Sequence, residues 1–219
     1  MSVMLEADVK TDELIELLAQ DATPHWPFRP LFVMMAMGGV LIAGLTFVSF
    51  IGVRSDVDQA LKTVRFLFKF AITVPLATGA TSMAWAMSCP GTRRSRALTI
   101  LALAPVLLAV AVALELGARP PQTWEASMIG HNARFCLTLI PLLSLGPLAC
   151  LIAALRHGAP TRPGLTGAVA GLGAAAIAAT FYAANCDDDS PLFVALWYPI
   201  AFAMVSAAGY GLGRRFLKW

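Results

Sequence analysis

Apolar positions along this chain gather in long blocks and do not alternate at short period. Six windows are almost wholly apolar: Leu31 to Val53, roughly Thr63 to Ser88, Ala97 to Leu116, about Phe135 to Leu155, about Leu165 to Ala184, and Leu192 to Leu212. Each holds the ~20 residues that cross ~30 Å of hydrocarbon at ~1.5 Å per residue. The pattern therefore predicts an all-α, polytopic membrane protein with six transmembrane helices. The gaps between windows are short polar or Pro-rich turns, too small to hold a second folded domain. The expected division is a polar arm, residues 1–30, followed by a six-helix domain, residues 31–219. The first apolar run follows an acidic segment and is too long for a signal-peptide core, so it reads as a retained anchor.

Composition agrees with this pattern. Of 219 residues, 58% are hydrophobic and 13% charged, and the mean hydropathy of +0.72 lies well outside soluble proteins. Lys and Arg are unevenly shared between the two ends of the spans, 10 on the side of the N-terminus and 6 on the other. The clusters RRSR, HGAPTR and GRRFLK all fall on the first side, so both termini are expected in the cytoplasm. The arginines are spread as topology signals and not gathered on a reading surface, which argues against direct nucleic-acid binding.

On that topology Cys89 and Cys150 lie toward the cytoplasm and read as small residues packed in an apolar setting. Cys136 begins the fourth span and Cys186 ends the fifth, both on the outer side, where a lasting disulfide can form if the host is a bacterium with an oxidising periplasm. A functional thiol pair is expected there, with two unrelated packed cysteines as the alternative. His131 and the run Asp187, Asp188 and Asp189 share that side, so a mixed Cys/His/carboxylate metal site is a further alternative. No CxxC or HxxxH supports it, and an acidic run at a helix exit is usually a solvated turn. Lys62, Arg65 and Lys69 share one face of the second span, spaced by three and four residues. They either snorkel to the interface or point inward, toward Glu115 or the outer thiols, where a cation would favour the thiolate.

Other features speak to packing. Gly167, Gly171 and Gly173 in span five and Gly209, Gly211 and Gly213 in span six form surfaces for close helix contact. Pro75, Pro105, Pro141, Pro147 and Pro199 predict kinks. Trp124, Trp197 and Tyr198 fall where interface aromatics belong.

The arm contains TDELIELLAQDATP, which reads as one short helix over about 11–21, with Thr11 as N-cap and Pro24 as stop. Leu14, Leu17 and Leu18 make an apolar stripe, with Ile15 beside it and Asp12, Glu13 and Glu16 on the acidic side. Such a helix is marginal alone in water. Residues 1–30 carry a net charge of −4, so anionic lipid repels the helix and a basic protein groove suits it better. The prolines of residues 24–30 form an extended tether to the first span.

Several motifs in order resemble one family: KTDELIELLAQDA, then W-x-x-S-M-x-G with a downstream cysteine (Trp124, Ser127, Met128, Gly130, Cys136), R-x-G-A-P (Arg156, Gly158, Ala159, Pro160), YAANCDDD, LWYP and GRRFLKW. The family is the NrsF-type six-span anti-sigma factors of the proteobacterial inner membrane, and the resemblance runs from about Lys10 to Trp219. It implies that the arm holds an extracytoplasmic-function (ECF) sigma factor at the membrane through Asp12, Glu13, Leu14, Ile15, Glu16, Leu17 and Leu18. It also implies that Cys136 and Cys186 are the sensing cysteines, responding to heavy-metal ions or oxidants, with any metal bound only transiently. His131, Lys69 and Asp187 are auxiliary candidates on the same face. No cofactor and no catalytic residue is expected. The rival reading, a small membrane thiol oxidoreductase or metal transporter, would want a CxxC pair, a haem or quinone ligand set, or mid-span charges.

Overall fold

The computed structural model describes Thr11, Ile15, Glu16, residues 28–89, Thr92 and residues 94–218. Of the arm, Thr11, Ile15 and Glu16 are helical and exposed. Asp12, Glu13, Leu14, Leu17, Leu18 and the tether before Phe28 lie outside the described residues.

Among the described residues there are only helices. Six are long and apolar enough to cross a bilayer: α1 (Phe28–Phe50), α3 (Val64–Ser88), α4 (Ser95–Ala118), α6 (Ala133–Leu155), α7 (Pro163–Ala183) and α8 (Pro191–Phe216). Two short helices, α2 (Val57–Ala60) and α5 (Trp124–Ile129), lie in the connections. Bounds differ from the hydropathy windows where polar residues join a helix end. Helix α1 starts at Phe28 although Pro30 is in its first turn, where the missing N–H costs nothing. Helix α8 runs on to Phe216, with Arg214 and Arg215 in the last turn, where cations suit the helix dipole.

Helix α7 is the hub, packing against α3, α6 and α8. Its Gly and Ala residues explain this, because small side chains let neighbouring backbones come close. The tightest crossing is with α8. A Cβ on Gly167 would stand 2.2 Å from the Gly209 carbonyl oxygen, and one on Gly209 would stand 2.3 Å from that of Gly167. Gly211 faces open space, so the pattern GxGxG contains two contact glycines, Gly209 and Gly213, and one bystander. Gly209→Ala is expected to force the crossing apart and cost about 1–3 kcal/mol, read as a lower unfolding midpoint in mixed micelles; Gly211→Ala should change little.

The prolines lie inside unbroken helices. Helix α4 is the outermost span and presents Leu103, Val106, Val110 and Leu114 outward, as lipid-facing positions do. The bundle has two polar ends. The near end carries the start of α1, the turn after α3, residues 156–162 and the end of α8. The far end carries residues 51–63, 119–132 and 184–190.

Candidate functional site

Residues separated by more than a hundred positions meet at the far end. Lys69 lies in the second turn of α3 and is fully buried, so snorkelling is not its solution. Its ammonium stands 2.5 Å from Asp189 Oδ1, donates to the Cys186 carbonyl at 2.7 Å, and lies 5.5 Å from the centre of the Phe66 ring. Arg54, in the turn after α1, completes the cluster. It bonds Asp189 at 2.9 Å and Asp56 at 2.5 Å, and reaches the Cys186 carbonyl at 3.3 Å. Two cations thus converge on one carboxylate and one backbone carbonyl. This hydrogen-bonded pairing is what permits charge in a dry interior.

The acidic run is therefore not a solvated turn. Asp188 accepts from the His131 and Asn132 backbone N–H groups at 2.8 and 2.7 Å and from Asn132 Nδ2 at 3.0 Å. That places a carboxylate at the start of α6, where exposed N–H groups and the helix dipole favour it. Asp187 accepts from Asn132 Nδ2. The three aspartates differ in what they hold, since Asp187 and Asp188 tie the exit of α7 to the start of α6 while Asp189 balances the buried cations. Glu115, at the end of α4, serves the next residues. It accepts from Ser190 Oγ at 2.8 Å and pairs with Arg65 at 3.4 Å and Arg119 at 3.3 Å. Of the three basic residues expected on one face of the second span, Arg65 reaches Glu115, Lys69 reaches the thiol loop, and Lys62 lies in the turn before α3.

Cys136 is 0% exposed and Cys186 is 1% exposed. Both are free thiols and belong to one buried cluster with Tyr182 and Tyr198; the Asn132 carbonyl ties their helices together, accepting from the Cys136 N–H at 2.8 Å. The Tyr182 hydroxyl donates toward the Asn132 carbonyl at 3.5 Å, and the Cys186 thiol reaches toward the Asp188 carbonyl at 3.9 Å. The fold thus brings together Cys136, Cys186, Lys69 and, at the rim, Asp187. His131 stays outside, its side chain 96% exposed and its Nδ1 3.8 Å from Asp188. Among the described residues no three His, Cys, Asp or Glu side chains are grouped to hold a metal ion. Cys89 and Cys150 are half-buried and remote from this pocket. Tyr198 is buried among the thiols' neighbours and is not an interface aromatic.

Burial pushes the Cys186 thiol up from its ordinary range, and Lys69 only partly offsets this. The Lys69 ammonium is already committed to the Asp189 carboxylate and the Cys186 carbonyl. Burial and the nearby cation thus act on the thiol in opposite directions, with burial the larger effect. The resting group is a protonated, sheltered thiol.

Arg54, Asn132, Asp188 and Asp189 are the residues that sequence reading undervalued. Nothing local marks them; only the buried position of Lys69 demands a carboxylate from elsewhere. The motif W-x-x-S-M-x-G is a strap over the site. Trp124 Nε1 donates to the Arg119 carbonyl at 3.0 Å, Ser127 Oγ accepts from Arg119 at 3.2 Å, and the Met128 carbonyl accepts from Trp197 at 2.9 Å. Gly130 closes the strap at φ +60°, where a Cβ would stand 2.5 Å from Phe193 and 2.8 Å from Asp188. Only glycine fits there. The R-x-G-A-P turn acts similarly at the near end: Ala159 N–H donates to the Ser88 carbonyl at 3.0 Å, and Gly158 packs on Ser88 and Phe28.

Comparison with known proteins shows the family. A family model described as negative regulator of sigma F matches residues 18–219. The anti-sigma-F factor NrsF of Caulobacter vibrioides is 33% identical over 215 residues, spanning 96% of this chain and all of the relative. The probable anti-sigma-F factor NrsF of Azospira oryzae is 30% identical over 213 residues, with the same coverage of 96% and 100%. No solved structure matches significantly. With the match spanning the six helices, the strap and the thiol pocket, the chain belongs to the NrsF family of negative regulators of sigma F.

Proposed function

We propose that this chain is an inner-membrane anti-sigma factor, both termini cytoplasmic, which holds an ECF sigma factor through its acidic, Leu-striped arm and releases it when Cys136 and Cys186 meet a soft metal ion or an oxidant. The observation that carries the thiol part is convergence. Two cysteines 50 positions apart are both buried in the apolar core, at the end of the bundle opposite the root of the arm. The family match and the two anti-sigma-F relatives support the regulatory role.

Both sulfurs are sealed, so reagent reaches them when the strap and the Asp187 to Asp189 loop open. A metal ion would bridge the two sulfurs with loss of their protons. Oxidation would join them in a disulfide, releasing two protons and passing two electrons to the oxidant. Either event moves Cys186, and with it the carbonyl that Lys69 and Arg54 hold. The resting arrangement loses its fit, and a second packing is favoured by the differential affinity of the stimulus.

A reporter for the sigma regulon tests this. Cys136→Ser and Cys186→Ser should each repress normally and fail to respond to cadmium or oxidant, holding the signal at its uninduced level. If both serine variants are induced as the parent is, the thiol part is wrong, whatever the arm does.

A further inference from the structure

A second cavity lies at the near end, unrelated to the thiols. Helices α1 and α4 stand apart there, leaving a crevice of about 410 Å³ floored by α3. Arg29, in the first turn of α1, and Arg96, second residue of α4, both line it. Deeper in, its walls are apolar, with Val33 52% and Met37 56% exposed along the membrane-facing side. Trp85 contributes from α3, and its indole Nε1 is buried with no hydrogen-bond partner among the described residues.

We propose that this crevice binds one anionic glycerophospholipid from the leaflet at the near end. The headgroup phosphate lies between the Arg29 and Arg96 guanidiniums, whose planar forks match phosphate oxygens. One acyl chain follows Val33 and Met37. Charge above apolar surface, at the depth where a helix enters the bilayer, is the order in which a phospholipid presents its own parts. Basic pockets between spans bind anionic headgroups for this reason. A soluble phosphate would satisfy the two cations and leave the apolar half empty. The site adjoins the residue at which the arm joins the bundle, so bound lipid sits at the arm's root.

Tryptophan quenching by brominated lipid tests the proposal on the full-length protein in phosphatidylcholine vesicles. The Trp85 signal is the difference between the parent and Trp85→Phe. Brominated phosphatidylglycerol is expected to quench it at about tenfold lower mole fraction than brominated phosphatidylcholine, and the preference should vanish in the Arg29→Gln/Arg96→Gln variant. Native mass spectrometry of the unmutated chain should retain one phosphatidylglycerol and no phosphatidylcholine. Equal quenching by the two lipids, or a preference that survives loss of both arginines, overturns the site. So does a preference absent from the parent and seen only with Asp12→Asn, Glu13→Gln and Glu16→Gln, since the acidic arm would then be the occupant.

Discussion

Asp189→Ala is expected to destabilise the folded bundle by about 3–5 kcal/mol, the range for breaking a buried ion pair by removing one partner. Lys69 is fully buried in α3, and without Asp189 its charge keeps only the Cys186 carbonyl and the face of Phe66. Arg54 is hurt less, because it retains Asp56. Lys69→Met should also be costly, since Asp189 is then left with Arg54 alone. The double variant Lys69→Met/Asp189→Leu should recover part of the loss, because no lone charge remains in the interior. A double-mutant cycle on unfolding midpoints in micelles measures this. A coupling of about 2 kcal/mol is expected; strictly additive single losses would show that the two groups do not act as a pair.

Replacing Leu14 and Leu17 together with aspartate should nearly abolish capture of the sigma factor. On the proposed reading these leucines are anchors in an apolar groove, and such anchors are worth about 2 kcal/mol or more each. Losing two corresponds to about a thousandfold in affinity. The regulon should then be constitutively on, as if the protein were absent, while the six-helix domain stays folded. Titration of the sigma factor against the full-length protein in nanodiscs reads the change directly. An affinity within a few fold of the parent would remove the arm from the mechanism and leave the thiol pocket untouched. This outcome is separable from failure of the serine variants, since one reports capture and the other release.

Hydropathy alone revealed the six spans, because a bilayer leaves a helix little choice of length or composition. That Cys136 and Cys186 lie at the same end of the bundle was legible for a related reason: alternating spans put the start of one and the end of another on the same face. The acidic run resists local reading because its meaning is set at a distance. Asp189 answers Lys69 and Arg54, respectively 120 and 135 positions away, and no local pattern distinguishes such a residue from a solvated one. Lys69 itself gave half the signal. One charge two turns into a span either snorkels or has a partner, and composition does not decide which. Gly130 was visible only as part of a motif. The reason it must be glycine, a positive φ pressed against Phe193 and Asp188, exists only in the folded chain. The segment around α5, expected to be a short turn, carries the strap because Trp124, Ser127 and Met128 each find a partner.

The long reach between Lys69 and Asp189 also sets an order of assembly. Helix α4, the most apolar of the spans, can enter the bilayer without help, whereas α3, at mean hydropathy 1.3, is the least apolar and brings a cation with it. During synthesis at about 5–20 residues per second, Asp189 emerges about 6–24 seconds after Lys69. Until then α3 has its counter-charge still unmade, and the lysine must stay near water. Burial of Lys69 therefore waits until α7 has passed through the bilayer, with only α8 still to follow in the chain. The Cys186 carbonyl gains its buried Lys69 partner in that same late step, so a chain truncated before Asp189 has spans but leaves Lys69 without its carboxylate.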